Sequence, residues 1–229
     1  IAAVALRRGD ADAMLCGLEG RLQSNMRHIR DIVGRAPGVH RFAALSLLIT
    51  SKGPIFMADT HVVVDPSAEE IAEMTVACAD HVRRFGIAPK VALLSHSDFG
   101  SSETPGALKM QAALGLIREM APDLEVDGEM AADTALSELI RDRVQPNSRL
   151  KGEANMLIMP NLDAANIAFQ IVKVVADALP VGPILIGPAK PAHVLTPSVT
   201  ARGIVNMTAV AVAEAQSSAD AQLSLPDGP

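Results

Sequence analysis

The stretch HVLTPSVTARG (His193–Gly203) sets Thr196, Ser198 and Thr200 at alternate positions, follows them with Arg202, and holds no carboxylate. Hydroxyls and a guanidinium suit an anion, and the stretch offers no carboxylate to act as a base. Just upstream, GPAKPAHVLTPS spaces Pro188, Pro191 and Pro197 through a glycine-bearing loop with Lys190 and His193 as its polar groups. Prolines stiffen a loop, which suits either a preorganised wall for an elongated ligand or a rigid interdomain connection. Lys190 could meet a phosphate as a point charge.

Other segments bear polar groups where a strand gives way to a helix. SHSDFGSSETPG (Ser95–Gly106) offers Ser97, Gly100 and Ser101 before a helix start, where free N–H groups and hydroxyls accommodate an anion. It contains neither Gly-Lys-Ser/Thr nor GxGxxG, so a nucleotide fold is not supported, and a capped loop without ligand is the alternative. MPNLDAAN (Met159–Asn166) carries Asn161, Asp163 and Asn166, either as polar contacts to a ligand or as helix caps. Asp59, His61 and Asp65 alternate, which invites a metal; nothing near them supplies further ligands, and the polar outer face of a hairpin explains them better. No metal site is expected. No Ser-His-Asp order, His-Glu-x-x-His or Cys-x-x-Cys motif occurs.

These segments need strands and helices to hold them. ADAMLC reads as a short buried strand, and Arg21–Val33 as a helix closed by Gly34 and Pro37. HRFAALSLLIT and IFMADTHVVVD flank the turn signal SKGP as a hairpin. PSAEEIAEMTVACADHVRRFG is a helix with Glu69 and Glu70 in its first turn and Arg83 and Arg84 in its last. From Lys90 onward the apolar runs KVALLSHS, LEVDGEM, NMLIMP and GPILIG alternate with helical stretches, among them ADTALSELIRDRV as one helix. The alternation argues for an α/β protein with a doubly wound parallel sheet, whose ligands bind at the carboxyl ends of strands. TARGIVNMTAVAVAEAQ is a final helix and SSADAQLSLPDGP a mobile tail.

Composition narrows the classes. Hydrophobic residues make up 49% of the 229, ample for a core and high for a free surface, so a subunit interface is expected. Aromatics are 2% and the net charge is −6, which leaves neither the phosphate-neutralising surface nor the stacking platforms of a nucleic-acid binder. NIAFQIVKVVADALPVGPILIG is too interrupted to span a membrane, and no signal peptide is visible. Cys16 and Cys78 read as small core residues of a cytoplasmic protein rather than as a disulfide. The chain opens at Ile1 on what reads as the end of a helix, which suggests part of a longer protein.

The ordered blocks VALLSHSDFGSS, PDLEVDGEMAADTAL, NMLIMPNLDAANIAFQIVK and GPILIGPAKPAHVL resemble the phosphate acetyltransferase (phosphotransacetylase) family. DTHVVVDPSAEEIAEMTVACADHVRRFG and SHSDFGSS are similar, within it, to the phosphotransacetylase-like C-terminal region of large bacterial malic enzymes. The resemblance implies two doubly wound α/β subdomains of the phosphotransacetylase (isocitrate dehydrogenase-like) type, the first incomplete at its N-terminus. Residues 1–38 would be the remnant of the first, 39–195 the second, 196–216 a helix returning to the first, and 217–229 the tail.

Active members of that family carry a Leu-Ser-Arg-Gly-type segment, whose arginine binds phosphate or the CoA 3′-phosphate, and a basic aspartate a few residues on. Laid on this sequence, the serine position is Thr196, the arginine position Pro197 and the aspartate position Gly203. Proline and glycine hold no anion and take no proton, and losing a general base costs ~10²–10⁴-fold in rate. Arg202 lies close enough for a local slip to restore an arginine, but not the carboxylate.

The resemblance therefore implies a regulatory, homo-oligomerising domain that binds acetyl-CoA as an allosteric effector through Thr196, Arg202 and Asn206, with Lys190, Ser97, Gly100 and Ser101 lining the cleft. Asn161, Asp163 and Asn166 would be further polar groups of that cleft. The partner would be a malic enzyme catalytic domain in the same parent chain, using NADP and a divalent metal that this part does not bind. The alternatives are an active phosphate acetyltransferase and a purely structural assembly domain.

Overall fold

The computed structural model describes residues 1–223, with side chains described as far as Ser217. In chain order the elements are α1 (Ala2–Arg8), β1 (Met14–Gly17), α2 (Leu22–His28, prolonged by a π-turn over Ile29–Val33), β2 (Ala43–Thr50), β3 (Gly53–Ala58), α3 (Ala68–Arg84), β4 (Lys90–Leu94), α4 (Pro105–Met120), β5 (Glu125–Met130), α5 (Ala132–Leu136), α6 (Glu138–Val144), β6 (Met156–Ile158), α7 (Leu162–Val175), β7 (Leu179–Ile186), β8 (Ala192–Leu195) and α8 (Ala201–Leu223). They form two compact units, one of Ile1–Phe42 with Val181–Pro229, the other Ala43–Pro180.

The inserted unit, 43–180, is the α/β layer structure that the alternating pattern predicts. Its strands lie in the order β5-β4-β6-β3-β2. β5, β4, β6 and β3 run parallel, while β3 and β2 pair antiparallel from Ser46↔Met57 to Thr50↔Gly53. The sheet is thus mixed rather than wholly parallel, because the hairpin turn at Ser51–Lys52 returns the chain beside its own strand. Period-two alternation divides the strand side chains between two faces. Met57, Ala92, Leu94 and Leu157 pack with Ala165 and Phe169 of α7 in one cluster. Phe56, Val91 and Leu93 are also fully buried, and the Phe56 ring lies 5.6 Å from that of Phe85 at the end of α3.

Local chemistry sets the element ends. Ser67 and Glu70 form a reciprocal capping box on α3, whose acidic first turn and basic last turn complement the helix dipole. The continuous helix expected over 132–144 is broken at Ser137, which takes extended backbone and caps α6 through its hydroxyl. The strand expected to run to Asp65 stops at Ala58. There the Asp59 carboxylate turns the chain, accepting the amides of His61, Val62 and Val63 at 2.8–3.0 Å. Asp59 is 3% exposed, so it is a buried turn-former and not the polar outer face of a hairpin.

In the other unit β1 and β8 pair in parallel, from Met14↔Ala192 to Gly17↔Leu195. β8 falls where the sequence reads as a proline-stiffened loop, and its pairing with β1 is why the units divide at Pro180/Val181 rather than at residue 195. Gly17 is required there: a Cβ would stand 2.2 Å from the Leu195 carbonyl oxygen. α8 continues through Leu223, so residues 217–223 of the expected tail are helical, and residues 224–229 lie outside the described residues. Both cysteines are free thiols, Cys78 buried and Cys16 half-buried. Among the described residues no helix is long and apolar enough to cross a membrane.

Candidate functional site

Parallel strands bring their carboxyl ends to one edge. In the inserted unit that edge collects the Asp59–Val63 turn after β3, the Ser95–Thr104 loop after β4, Ala131 after β5 and Met159–Asn161 after β6. The loop after β4 winds around a side chain that sequence reasoning missed. Glu129 of β5, 0% exposed, accepts the Ser97 hydroxyl at 3.0 Å and the Gly100 amide at 3.1 Å. The Phe99 amide donates to the Glu129 carbonyl at 2.7 Å. Phe99 and Gly100 both adopt positive φ, 45° and 85°, which curls the backbone so that its amides converge. The anion that this loop holds is therefore internal.

The remaining loop polar groups fasten the same turn. Ser101 Oγ accepts the Asp98 amide at 3.1 Å, and Asp98 Oδ1 accepts the Ala131 amide at 2.9 Å. Ser95 Oγ lies 3.4 Å from His96 Nδ1 and 3.3 Å from Ser97 Oγ, a weak chain leading from buried Glu129 to exposed His96. Asn161 caps α7, its Oδ1 accepting the Ala164 amide at 2.9 Å. Asp163 is exposed in the first turn of α7. Asn166 Nδ2 donates to the Thr60 carbonyl at 3.1 Å and braces the Asp59 turn. In that turn Thr60 Oγ1 meets both Ser46 Oγ at 2.7 Å and His61 Nδ1 at 2.8 Å. Burial, aided by the charge of Lys173, pulls the His61 imidazole down to about 4, so it is neutral near pH 7. Among the described residues no three His, Cys, Asp or Glu side chains gather as a metal cluster.

In the other unit Thr196 stands at the carboxyl end of β8, half-buried, with Oγ1 3.3 Å from Ser198 Oγ. Thr200 Oγ1 accepts the Gly203 amide at 3.1 Å and so caps α8. Arg202, in the first turn, is exposed and has no carboxylate partner among the described residues. Asn206 follows one turn later on the same helix face, half-buried. Pro197 is exposed, and Gly203 is close-packed: a Cβ there would approach Val199 Cγ2 to 2.7 Å. Lys190 does not point a free charge outward. Its Nζ donates at 2.8 Å to the Leu6 carbonyl in the last turn of α1, where the helix dipole is negative. His193, read from sequence as a loop residue, is 0% exposed inside β8.

Arranged this way, Thr196, Arg202 and Asn206 offer a hydroxyl, a guanidinium and an amide on one connector and one helix face. That set can hold an anion but contains no group placed to take a proton.

The sequence profile described as phosphate acetyl/butaryl transferase matches residues 1–212. The chain is 58% identical over 214 residues to the NAD-dependent malic enzyme of Rhizobium meliloti (strain 1021), covering 93% of this chain and 28% of that one. It is 39% identical over 216 residues to the phosphate acetyltransferase of Paracoccus denitrificans, covering 91% and 68%. The crystal structure of a phosphotransacetylase from Streptococcus pyogenes superposes with a TM-score of 0.89 at 29% identity, covering 94% of this chain and 66% of that one. The chain thus spans less than a third of the malic enzyme that it matches.

Proposed function

This chain belongs to the phosphate acetyl/butaryl transferase family, and on that footing we propose that it is the regulatory and oligomerising part of a malic enzyme, with a site that binds acetyl-CoA and no longer turns it over. The observation that carries this reading is the pair Pro197 and Gly203 at the positions where the resemblance places an arginine and a catalytic aspartate. Gly203 is also packed against Val199 Cγ2, so an acidic side chain has no ready place there. Thr196, Arg202 and Asn206 would contact the ligand, Arg202 supplying the charge that meets a CoA phosphate. Lys190 remains a candidate lining group, although its Nζ already donates to the Leu6 carbonyl inside the protein.

The malic enzyme assignment rests on the 58% identity to a chain of that name. The oxidative decarboxylation of malate, with its nicotinamide cofactor and divalent metal, would belong to the other half of such a protein. Acetyl-CoA would regulate it by binding two states of the whole with different affinity. Self-association finds support in α7, where Ile167, Ile171, Val174 and Val175 line up at helical spacing, each more than half exposed.

Calorimetry on the full-length protein tests the reading: acetyl-CoA binds at or below millimolar concentration and lowers the rate of malate oxidation. Absence of binding at that concentration sinks it. A working transferase is the second reading, favoured by the 39% identity to a phosphate acetyltransferase. Acetyl phosphate made from acetyl-CoA and phosphate, and abolished by Arg202→Ala, would establish that reading instead. Unchanged malate kinetics under saturating acetyl-CoA, with dissociation when this part is deleted, would leave it an assembly domain alone.

A further inference from the structure

Parallel pairing sets Gly17 of β1 opposite Leu195 of β8, so the two strands end side by side. Residues 18–21 lead from β1 into α2, and residues 196–200 lead from β8 into α8. Both helices pack against both strands, and they share no comparable packing with each other. A two-stranded sheet is about 10 Å wide, the diameter of one helix, so two helices on one face would touch. α2 and α8 therefore cover opposite faces, and the chain leaves the paired strands in opposite directions. Such a divergence opens a crevice outside the carboxyl ends of the strands, where α/β sheets take their ligands.

Thr196, Arg202 and Asn206 stand on the α8 side of that crevice. The α2 side brings a second cation. Arg21 is the N-cap residue of α2, with extended backbone and no capping hydrogen bond from its side chain. It is exposed, and among the described residues its guanidinium has no hydrogen bond or ion pair. Glu19, on the same loop, does not neutralise it. Other arginines of this unit are matched by neighbouring carboxylates, Arg8 by Asp10 at 3.2 Å and Arg30 by Asp31 at 2.9 Å. The loop that presents Arg21 has a preset course: Leu18 takes φ 70°, and Asn25 Nδ2 donates to the Glu19 carbonyl at 3.3 Å. A CoA ester carries a diphosphate and a separate ribose 3′-phosphate along an extended molecule. Arg202 alone does not match both, whereas two guanidiniums on opposite sides of one crevice do.

We propose that Arg21 is a further ligand-binding residue of this site: it takes one phosphate group of the acyl-CoA from the α2 side, while Arg202 meets the other from the α8 side. This rests on the reading of Thr196, Arg202 and Asn206 as ligand contacts. It deepens that reading to a ligand that must carry phosphate at two points.

The test is calorimetric titration of acetyl-CoA, and of its analogue lacking the 3′-phosphate, into the full-length protein and its Arg21→Ala, Arg21→Lys, Arg202→Ala and Arg7→Ala variants. Arg7 is the charge control. It is exposed in the last turn of α1, before β1, so its loss removes the same charge at the amino end of the strand. Arg21→Ala should weaken acetyl-CoA binding about fivefold to tenfold, Arg21→Lys should lose less, and Arg7→Ala should bind as the parent does. On the analogue, one of Arg21→Ala and Arg202→Ala should match the parent, having lost nothing that the missing phosphate had not already removed, and the other should remain weaker. Parental affinity for acetyl-CoA in Arg21→Ala overturns the proposal. Equal weakening in Arg7→Ala overturns it as a general charge effect, and like behaviour of the two alanine variants on the analogue overturns the division between two phosphates. A parent protein that binds no acetyl-CoA removes the ligand reading and this proposal together; a parent that binds, with Arg21→Ala unaffected, removes the proposal alone.

Discussion

Ser97 donates its hydroxyl to Glu129 across 3.0 Å, and by that bond a loop shaped to receive an anion is filled by the protein's own carboxylate. Glu129 is fully buried and also takes the Gly100 amide, so its charge is matched by donors of the loop after β4.

Glu129→Ala should therefore cost about 2–3 kcal/mol of folding stability, since it leaves the Ser97 hydroxyl and the Gly100 amide without their acceptor. Glu129→Gln should recover part of the loss through its amide oxygen. Denaturant unfolding of both variants reads the difference, and a Glu129→Ala protein as stable as its parent would contradict the buried-anchor role.

Arg141 is a second buried charge with an unusual set of acceptors. Its guanidinium donates to the carbonyls of Thr134, Ala135, Leu150 and Gly152, joining α5 and α6 to the segment before β6. Arg141→Lys keeps the charge but not the planar fork and should lose about 3 kcal/mol, Arg141→Ala at least as much. Equal stability of Arg141→Lys and the parent in thermal unfolding would refute the fork argument.

Stability should fall as pH drops from 6.5 toward 4. The His61 imidazole ordinarily titrates at 6.5 and is held at about 4 by burial and then by the charge of Lys173. In that window the unfolded chain binds a proton that the folded chain does not, so His61 favours folding above it and loses that contribution as pH falls. Asp59 works with the opposite sign. Burial raises its carboxyl above 3.8, so its contribution is present below that value and is lost as pH rises through the folded-state value. Denaturant unfolding at pH 7, 5.5 and 4.5 checks the His61 part: His61→Gln should flatten the decline. Identical slopes in variant and parent would rule it out.

The two thiols should differ in reactivity. Burial, and after it the Asp59 charge, pushes the Cys78 thiol up, while burial alone raises the half-buried Cys16. Thiolate is the reacting form, so native protein should leave Cys78 unmodified by a disulfide reagent at pH 8 and react slowly at Cys16. Unfolding in guanidinium should release both at the rate of free cysteine. Native modification of Cys78 at a rate comparable to Cys16 would show that the α3 core opens readily.

The residue pattern by itself determined the layered α/β architecture of the inserted unit, the β2–β3 hairpin, the capping of α3 and the absence of charge at Pro197 and Gly203. Those features depend on local backbone preference, on periodicity along one segment, or on residue identity alone. Tertiary structure decided what depends on residues far apart in the chain. β8 is a strand because β1, about 178 residues away, supplies its parallel partner, and the proline-bearing stretch GPAKPAHVL carries no local sign of that. Lys190 is committed to the end of α1, Glu129 is the anion of the loop after β4, and Asp59 is an interior turn-former for the same reason. A polar side chain looks alike in sequence whether water or a buried amide satisfies it, and only the folded chain brings the donor that decides.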